Sequence, residues 1–380
     1  MRFMSLVIGF GLVLSGLQTT AQADDLPEIT AKGAVVLDAD TGEVLFSKNE
    51  NERLPMASTT KIMSALLVIE RGELDEQFIV DSEAIKTEGS SMGLQEGDTV
   101  TLRELCCGML LPSGNDAANA AAVRVAGSVE GFVDMMNERA AELGLENTHF
   151  VTPSGLDDYT DEHYSTAYDM AKLAAEAIKQ PVFCEICSSA SMPVEFGDPP
   201  YKRVLYNTNK LLGSCEGVFG VKTGFTDKAG RCLVSACMRD SKTLICVTLN
   251  DRNDWEDHKA LYERCYGYYS RQTLPKSGRC FEVPVAGGTA DSVRCTAENV
   301  SAVLLIDRAE KCEAKIYIQP FVYAPVKKGD VVGSVVYYYK GTQIASAQIK
   351  AENSVKYAKS SEKTDTSFVD VLFDIFDLVI

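Results

Sequence analysis

Apolar residues first cluster in two short runs, Ala34–Leu37 and Glu43–Phe46, on either side of Asp38-Ala-Asp-Thr-Gly42. Two β-rich runs around a turn that ends in glycine predict a hairpin. Pro55 and a polar break then lead into the apolar run Ile62–Ile69, which reads as a loop entering a helix. Residues 82–92 and 97–101 mix turn residues with short runs and read as loop. Helical periodicity returns at Leu102–Leu111, Asp116–Ala126, Glu130–Leu143 (with Gly144 as C-cap) and Thr166–Lys179. The β pattern resumes in Val221–Thr226, Cys232–Arg239 and Thr243–Leu249, joined by tight turns at Asp227–Gly230 and Arg239–Ser241, before a helix over about Asp254–Ser270. Sheet segments at both ends with helices between them predict an α/β fold, one antiparallel sheet covered by helices.

Around Pro275 the texture changes. Residues 276–350 are strand and turn throughout, with runs at Phe281–Val285, Ala302–Ile306, Ala314–Ile318, Asp330–Tyr339 and Gln343–Ile349 and a turn at Lys327–Asp330. They read as a separate small all-β domain, a sandwich. The division expected is therefore a main domain over 27–273, the β-sandwich over 276–350, and a tail over 351–380. In that tail, 351–366 is a polar linker, and Phe368–Ile380 places Asp370, Asp374 and Asp377 at helical spacing on an otherwise apolar segment. Such a helix suits peripheral membrane contact through its apolar face, although an acidic stripe is repelled by anionic lipid. At the other end Arg2, the apolar stretch Ser5–Leu17 and Ala21-Gln22-Ala23 match a signal peptide over 1–23, cleaved before Asp24. A cleaved signal places the mature chain outside the cytoplasmic membrane, an extracytoplasmic location.

Composition narrows the function. A net charge of −17 leaves no basic footprint for nucleic acid. Twelve cysteines are compatible with disulfides in an exported protein, but Cys106 and Cys107 are adjacent, and Cys184-x-x-Cys187 reads as two buried thiols on a helix. With three histidines and no second Cys-x-x-Cys, no metal site is expected.

The chemistry concentrates at Ser58-Thr-Thr-Lys61. Three residues apart at a helix start, the two side chains share one face. A serine needs a base beside it, and a lysine becomes that base only if burial or a second cation lowers its pKa. Helix-start N–H groups can also hold an oxyanion. Ser-x-x-Lys alone also describes an N-cap serine with a solvated lysine. Two later strings change that reading: Ser113-Gly114-Asn115 follows an apolar segment, and Lys222-Thr223-Gly224 follows Gly217–Val221. The three strings in this order form the signature of penicillin-binding proteins and class A β-lactamases.

With Leu111–Asn119, His149–Leu156 and Ser165–Ala171 added, the chain resembles the D-alanyl-D-alanine carboxypeptidases, low-molecular-weight penicillin-binding proteins of the serine peptidase type, over about residues 27–350. The resemblance implies the α/β serine acyltransferase fold followed by the all-β domain. It implies removal of the terminal D-alanine from peptidoglycan stem pentapeptides through an acyl-serine ester, with acylation by β-lactam antibiotics and no cofactor. Ser58 would be the nucleophile, Lys61 the base and Ser113 the proton relay. Asn115 would hold the substrate backbone, and Lys222 and Thr223 its carboxylate; Gly224 and Phe225 would also be substrate-binding, and the N–H groups of Ser58 and Phe225 would form the oxyanion hole. A class A β-lactamase would carry Glu-x-x-Leu-Asn between the second and third motifs, and no such string lies between Ser113 and Lys222. Endopeptidase action on wall cross-links, and a binding module without turnover, remain alternatives on the same motifs. His163 with Asp169 suggests a Ser-His-Asp triad on paper, but His163 reads as structural, and Arg252 as a solvated turn residue.

Overall fold

The computed structural model describes residues 27–157 and 160–359. The signal segment and Phe368–Ile380 lie outside them. The main sheet has the strand order β2-β1-β9-β8-β7, every pair antiparallel: β1 (Gly33–Asp38), β2 (Val44–Lys48), β7 (Val218–Thr226), β8 (Gly230–Arg239) and β9 (Lys242–Leu249). Alternate residues of its strands serve two cores. Val35, Leu37, Val234, Ala236, Ile245 and Val247 face the helical block, whereas Ala34, Val36, Leu233, Leu244 and Cys246 face helix α7 (Asp254–Tyr266) through Leu261, Tyr262 and Cys265. With both faces covered, these strands read as continuous apolar runs.

The helical block comprises α1 (Lys61–Arg71), α2 (Leu102–Leu110), α3 (Asn115–Ala126), α4 (Val129–Glu142), α5 (Ala167–Ala177) and α6 (Pro181–Ser188). Helix α1 is buried at every position from Lys61 to Ile69, so it forms the centre of the block. Its neighbours start at local caps: a Thr101–Glu104 capping box opens α2, Ser128 accepts from Gly131 N–H at α4, and Thr166 from Asp169 N–H at α5.

Several elements differ from the sequence expectation. Thr99–Thr101, expected as loop, is strand β4, paired with β3 (Gln77–Ile79). The hairpin β5–β6 (Ser191–Gly197, Pro200–Tyr206) is additional. Its outward residues are polar and tyrosine-rich, so hydropathy alone does not mark it. Helix α7 stops at Tyr266, four residues early, because β10 (Tyr269–Thr273) leaves it to pair with β13 (Ser301–Leu305).

The all-β part packs this two-stranded layer on a six-stranded sheet, β14-β16-β17-β12-β11-β15, formed by β11 (Cys280–Ala286), β12 (Ser292–Ala297), β14 (Glu313–Ile318), β15 (Val322–Tyr323), β16 (Val331–Tyr339) and β17 (Thr342–Ala351). Leu304, Val283, Val293, Val335, Tyr337 and Ile349 fill its core. It joins the main sheet at the β1–β2 turn. The Tyr269 hydroxyl donates to Asp38 Oδ2 (2.6 Å), and the Tyr339 hydroxyl to Glu43 Oε2 (3.0 Å), with Arg308 and Lys340 bracketing Glu43. Burial raises the Glu43 pKa, but this hydroxyl and the two cations more than offset it, leaving the carboxyl below its usual value. All twelve cysteines are free thiols, ten of them buried.

Candidate active site

Three chain segments converge on the start of α1. A 3-10 turn over Ala57–Thr60 carries Ser58 into the helix, and Ala57 holds a positive φ of 49°. For a residue with a Cβ this left-handed conformation costs about 1 kcal/mol, and the surroundings enforce it. Gly155, at φ +87°, presses on this turn so closely that a Cβ there would lie 2.0 Å from the Ala57 carbonyl oxygen. On the other side strand β7 crosses at Gly224, where a Cβ would stand 3.1 Å from the backbone nitrogens of Ser58 and Thr59. The glycine of the third motif lets the strand approach the Ser58 turn this closely without crowding its backbone.

Lys61 is fully buried. Its Nζ lies 2.9 Å from Ser58 Oγ, 2.6 Å from Asn115 Oδ1 and 2.7 Å from the Ser154 carbonyl oxygen. Burial drives its pKa far down, the Lys222 cation pushes the same way, and Asp116 opposes them. A neutral amine has two N–H bonds and one lone pair. The two carbonyl acceptors take the N–H bonds, and the lone pair is left for the Ser58 hydroxyl. Lys222 is also buried, which lowers its pKa to about 7, and it donates to the Thr223 carbonyl at 2.8 Å.

The second motif sits between the other two. Ser113, nearly buried at φ +68°, lies in the turn between α2 and α3. On one side Asn115 reaches Lys61, with its Nδ2 donating to the Glu88 carbonyl at 2.7 Å. On the other, Thr208 N–H donates to the Leu111 carbonyl, and the Thr208 and Thr223 hydroxyls are 2.7 Å apart. Lys222 and Gly224 face α1, as do their β8 partners Val234 and Cys232. Strand β7 ends the sheet, with β8 on one side and no strand on the other among the described residues. The Phe225 ring is 63% exposed at that edge.

Some functional neighbours carry no catalytic signal in the sequence. The Asp116 carboxylate accepts from the N–H groups of Met92, Gly93, Leu94 and Ala117 and from the Ser91 hydroxyl, pinning loop 91–94 to the start of α3. An acid one residue after Asn115, in a helix's first turn, is the signal that could have found it. From outside, Arg203, whose guanidinium packs on both the Phe196 and Tyr201 rings, donates to the Met92 and Gly93 carbonyls. Ser154 contributes only its carbonyl, which no side-chain pattern reveals.

His163 is structural, in line with the sequence reading. Its Nδ1 accepts from Val151 N–H, so its Nε2 carries the proton and donates to Thr60 Oγ1, which in turn donates to the Ala57 carbonyl. Burial lowers its pKa to about 3. Asp169 accepts instead from Asn147 and Thr148. Arg252 is exposed. No cluster of metal-ligating side chains occurs among the described residues.

Comparison with known proteins points the same way. The family profile described as D-alanyl-D-alanine carboxypeptidase matches residues 18–253, and that of the penicillin-binding protein 5 C-terminal domain matches 269–357. D-alanyl-D-alanine carboxypeptidase DacF of Bacillus subtilis (strain 168) is 33% identical over 341 residues, 86% of either chain. Among solved structures, the D-alanyl-D-alanine carboxypeptidase DacD from Francisella tularensis has a TM-score of 0.62 at 27% identity, covering 91% of this chain and 100% of that one. Penicillin binding protein 5 from Haemophilus influenzae has a TM-score of 0.60 at 28% identity, covering 87% and 99%.

Proposed function

The chain belongs to the D-alanyl-D-alanine carboxypeptidase family, and from that premise we propose that Ser58 is its nucleophile and Lys61 the base that activates it. The enzyme is a carboxypeptidase of peptidoglycan. What supports the assignment most is the Lys61 amine, whose N–H bonds are occupied by Asn115 and Ser154 while its remaining direction meets Ser58 Oγ.

In the proposed cycle Lys222 and the Thr223 hydroxyl bind the terminal carboxylate, and Asn115 holds the peptide backbone. Ser58 Oγ attacks the carbonyl carbon of the last D-Ala–D-Ala bond as its proton passes to Lys61 Nζ. The N–H groups of Ser58 and Phe225 stabilise the oxyanion. Collapse breaks the C–N bond, and the proton reaches the leaving nitrogen through Ser113. D-alanine departs, and water hydrolyses the Ser58 ester with Lys61 again as base. A β-lactam enters by the same attack, its strained amide taking the place of the peptide. The open groove lined by Lys86, Thr87, Glu88, Val151, Thr152 and Leu156 is the space for the rest of the stem peptide. Export by the N-terminal signal and membrane contact through Phe368–Ile380 belong to this proposal on sequence grounds; no described helix is long and apolar enough to cross a membrane.

The test is mass spectrometry of the protein with and without benzylpenicillin, followed by a time course on a stem pentapeptide. One adduct on the peptide containing Ser58, with release of a single D-alanine, is the expected result. Rapid return to unmodified protein with hydrolysed penicillin identifies a β-lactamase instead. No adduct on folded protein overturns the Ser58–Lys61 assignment.

A further inference from the structure

The catalytic reading leaves unused an apolar surface on the all-β part. From Phe321 to Lys327 the chain alternates: Val322, Ala324 and Val326 turn toward the core, whereas Phe321, Tyr323, Pro325 and Lys327 face outward. Phe321 is 44% and Tyr323 74% exposed, and their rings meet edge to face with centroids 5.3 Å apart. A third ring, Tyr357, 67% exposed, lies on the neighbouring segment. Ala286 pairs with Tyr323 and Gly288 with Tyr357; because Val355, two residues before Tyr357, pairs with Val326 toward the core, Tyr357 borders the tip from the other face. Exposed Val331 closes a groove of about 620 Å³ beside Phe321 and Tyr323.

The charge around this tip runs against the rest of the protein. Lys327, Lys328, Lys356 and Lys359 are all exposed there. Acids stand beside them: Asp330, whose carboxylate accepts from Lys327 N–H, Asp291, whose carbonyl accepts from Val285 N–H, and Glu352, which pairs with Arg294 at 3.2 Å. The exposed lysines still stand out on a chain of net charge −17. Aromatic rings bordered by lysines are the composition of a membrane–water interface: the rings sit among headgroups, and the lysines meet lipid phosphates.

We infer that the Phe321–Tyr323 tip, with its four lysines, docks on an anionic lipid bilayer. The partner is selected by charge complementarity and by a stripe only a few side chains wide, which suits partial insertion into headgroups. The contact is separate from the one proposed for Phe368–Ile380, and it depends on export only for which membrane face it meets.

The full chain is sedimented with phosphatidylcholine vesicles, with and without 30 mol% phosphatidylglycerol, at low and high salt. Parallel samples carry Phe321→Ser with Tyr323→Ser, or Lys327→Glu with Lys328→Glu, or end after Lys359. The expected result is salt-sensitive binding to the anionic vesicles. It is weakened at least tenfold by the lysine double substitution, as about 1 kcal/mol (about fivefold) per interfacial lysine requires, and it is weakened by the aromatic one as well. Some binding persists in the chain ending at Lys359. Melting curves and turnover of a soluble pentapeptide stay unchanged in the lysine variant, a surface change that tests docking even if the aromatic variant misfolds. Equal binding by the parent and both double variants overturns the inference, as does binding that vanishes only on removal of residues 360–380. A fall in self-association without a fall in vesicle binding also overturns it and makes a second copy the partner.

Discussion

Lys222 offers the sharpest test of how the site is built. Its ammonium is buried, and burial takes its pKa from an ordinary 10.5 to about 7. At ~1.4 kcal/mol per pH unit, ionisation of this one group opposes folding by roughly 4 kcal/mol at pH 7. Lys222→Met keeps most of the volume and removes the charge. It loses the 2.8 Å bond to the Thr223 carbonyl, worth about 1 kcal/mol. The net expectation is a fold stabilised by roughly 3 kcal/mol, or a rise in Tm of about 6–12 °C. The pH dependence identifies the cause. Between the folded pKa near 7 and the unfolded value of 10.5, the unfolded chain binds more protons, so parental stability rises with pH across that window. The Tm gap should therefore be full at pH 6 and close toward pH 10. Turnover of a D-Ala–D-Ala peptide should fall about a hundredfold through loss of the buried partner for its carboxylate. Calorimetry of both proteins from pH 6 to 10 decides the matter. A gap independent of pH, or a variant that melts below its parent at pH 6, refutes the argument.

The histidines act at the acid end. His163 and His258 are buried neutral with pKa values near 3, so below pH 6.5 the unfolded chain takes up protons that the folded one refuses. Between pH 6.5 and 5 each should remove roughly 2 kcal/mol, and urea midpoints should show His258→Gln flattening that decline. Asp116→Ala leaves four backbone N–H groups and the Ser91 hydroxyl without their acceptor; stability should drop by about 3 kcal/mol, and amide exchange should quicken first at residues 91–94. Gly155→Ala drives a Cβ into the Ala57 carbonyl, so penicillin acylation, followed by mass spectrometry, should slow at least tenfold. Gly42→Ala, also at positive φ but facing open space, should cost about 1 kcal/mol in a melting curve and leave acylation unchanged.

The sequence determined the parts of this protein that are local in the chain. Apolar period marked β1, β7, β8 and β9 and the helices of the central block, because burial selects residues at the spacing of strand or helix. Three short motifs singled out Ser58, Lys61, Ser113, Asn115 and Lys222 as the proposed site, because a serine acyltransferase needs those functional groups whatever holds them. Short or polar elements escaped it. Strand β4 is three residues long, and hairpin β5–β6 turns tyrosine and lysine outward, so neither carries a strong hydropathy signal. Only the tertiary structure decided how an ordinary lysine comes to sit in the setting a base needs. That required α1 to lie buried among its neighbours, the Ser154 carbonyl to arrive from 93 residues away, and Asn115 from 54, so that both N–H bonds of the amine are occupied. It also decided that Gly155 and Gly224 let two segments close on the nucleophile turn. A pKa depends on the solvent and charges removed from around a group, and those are set by residues distant in sequence.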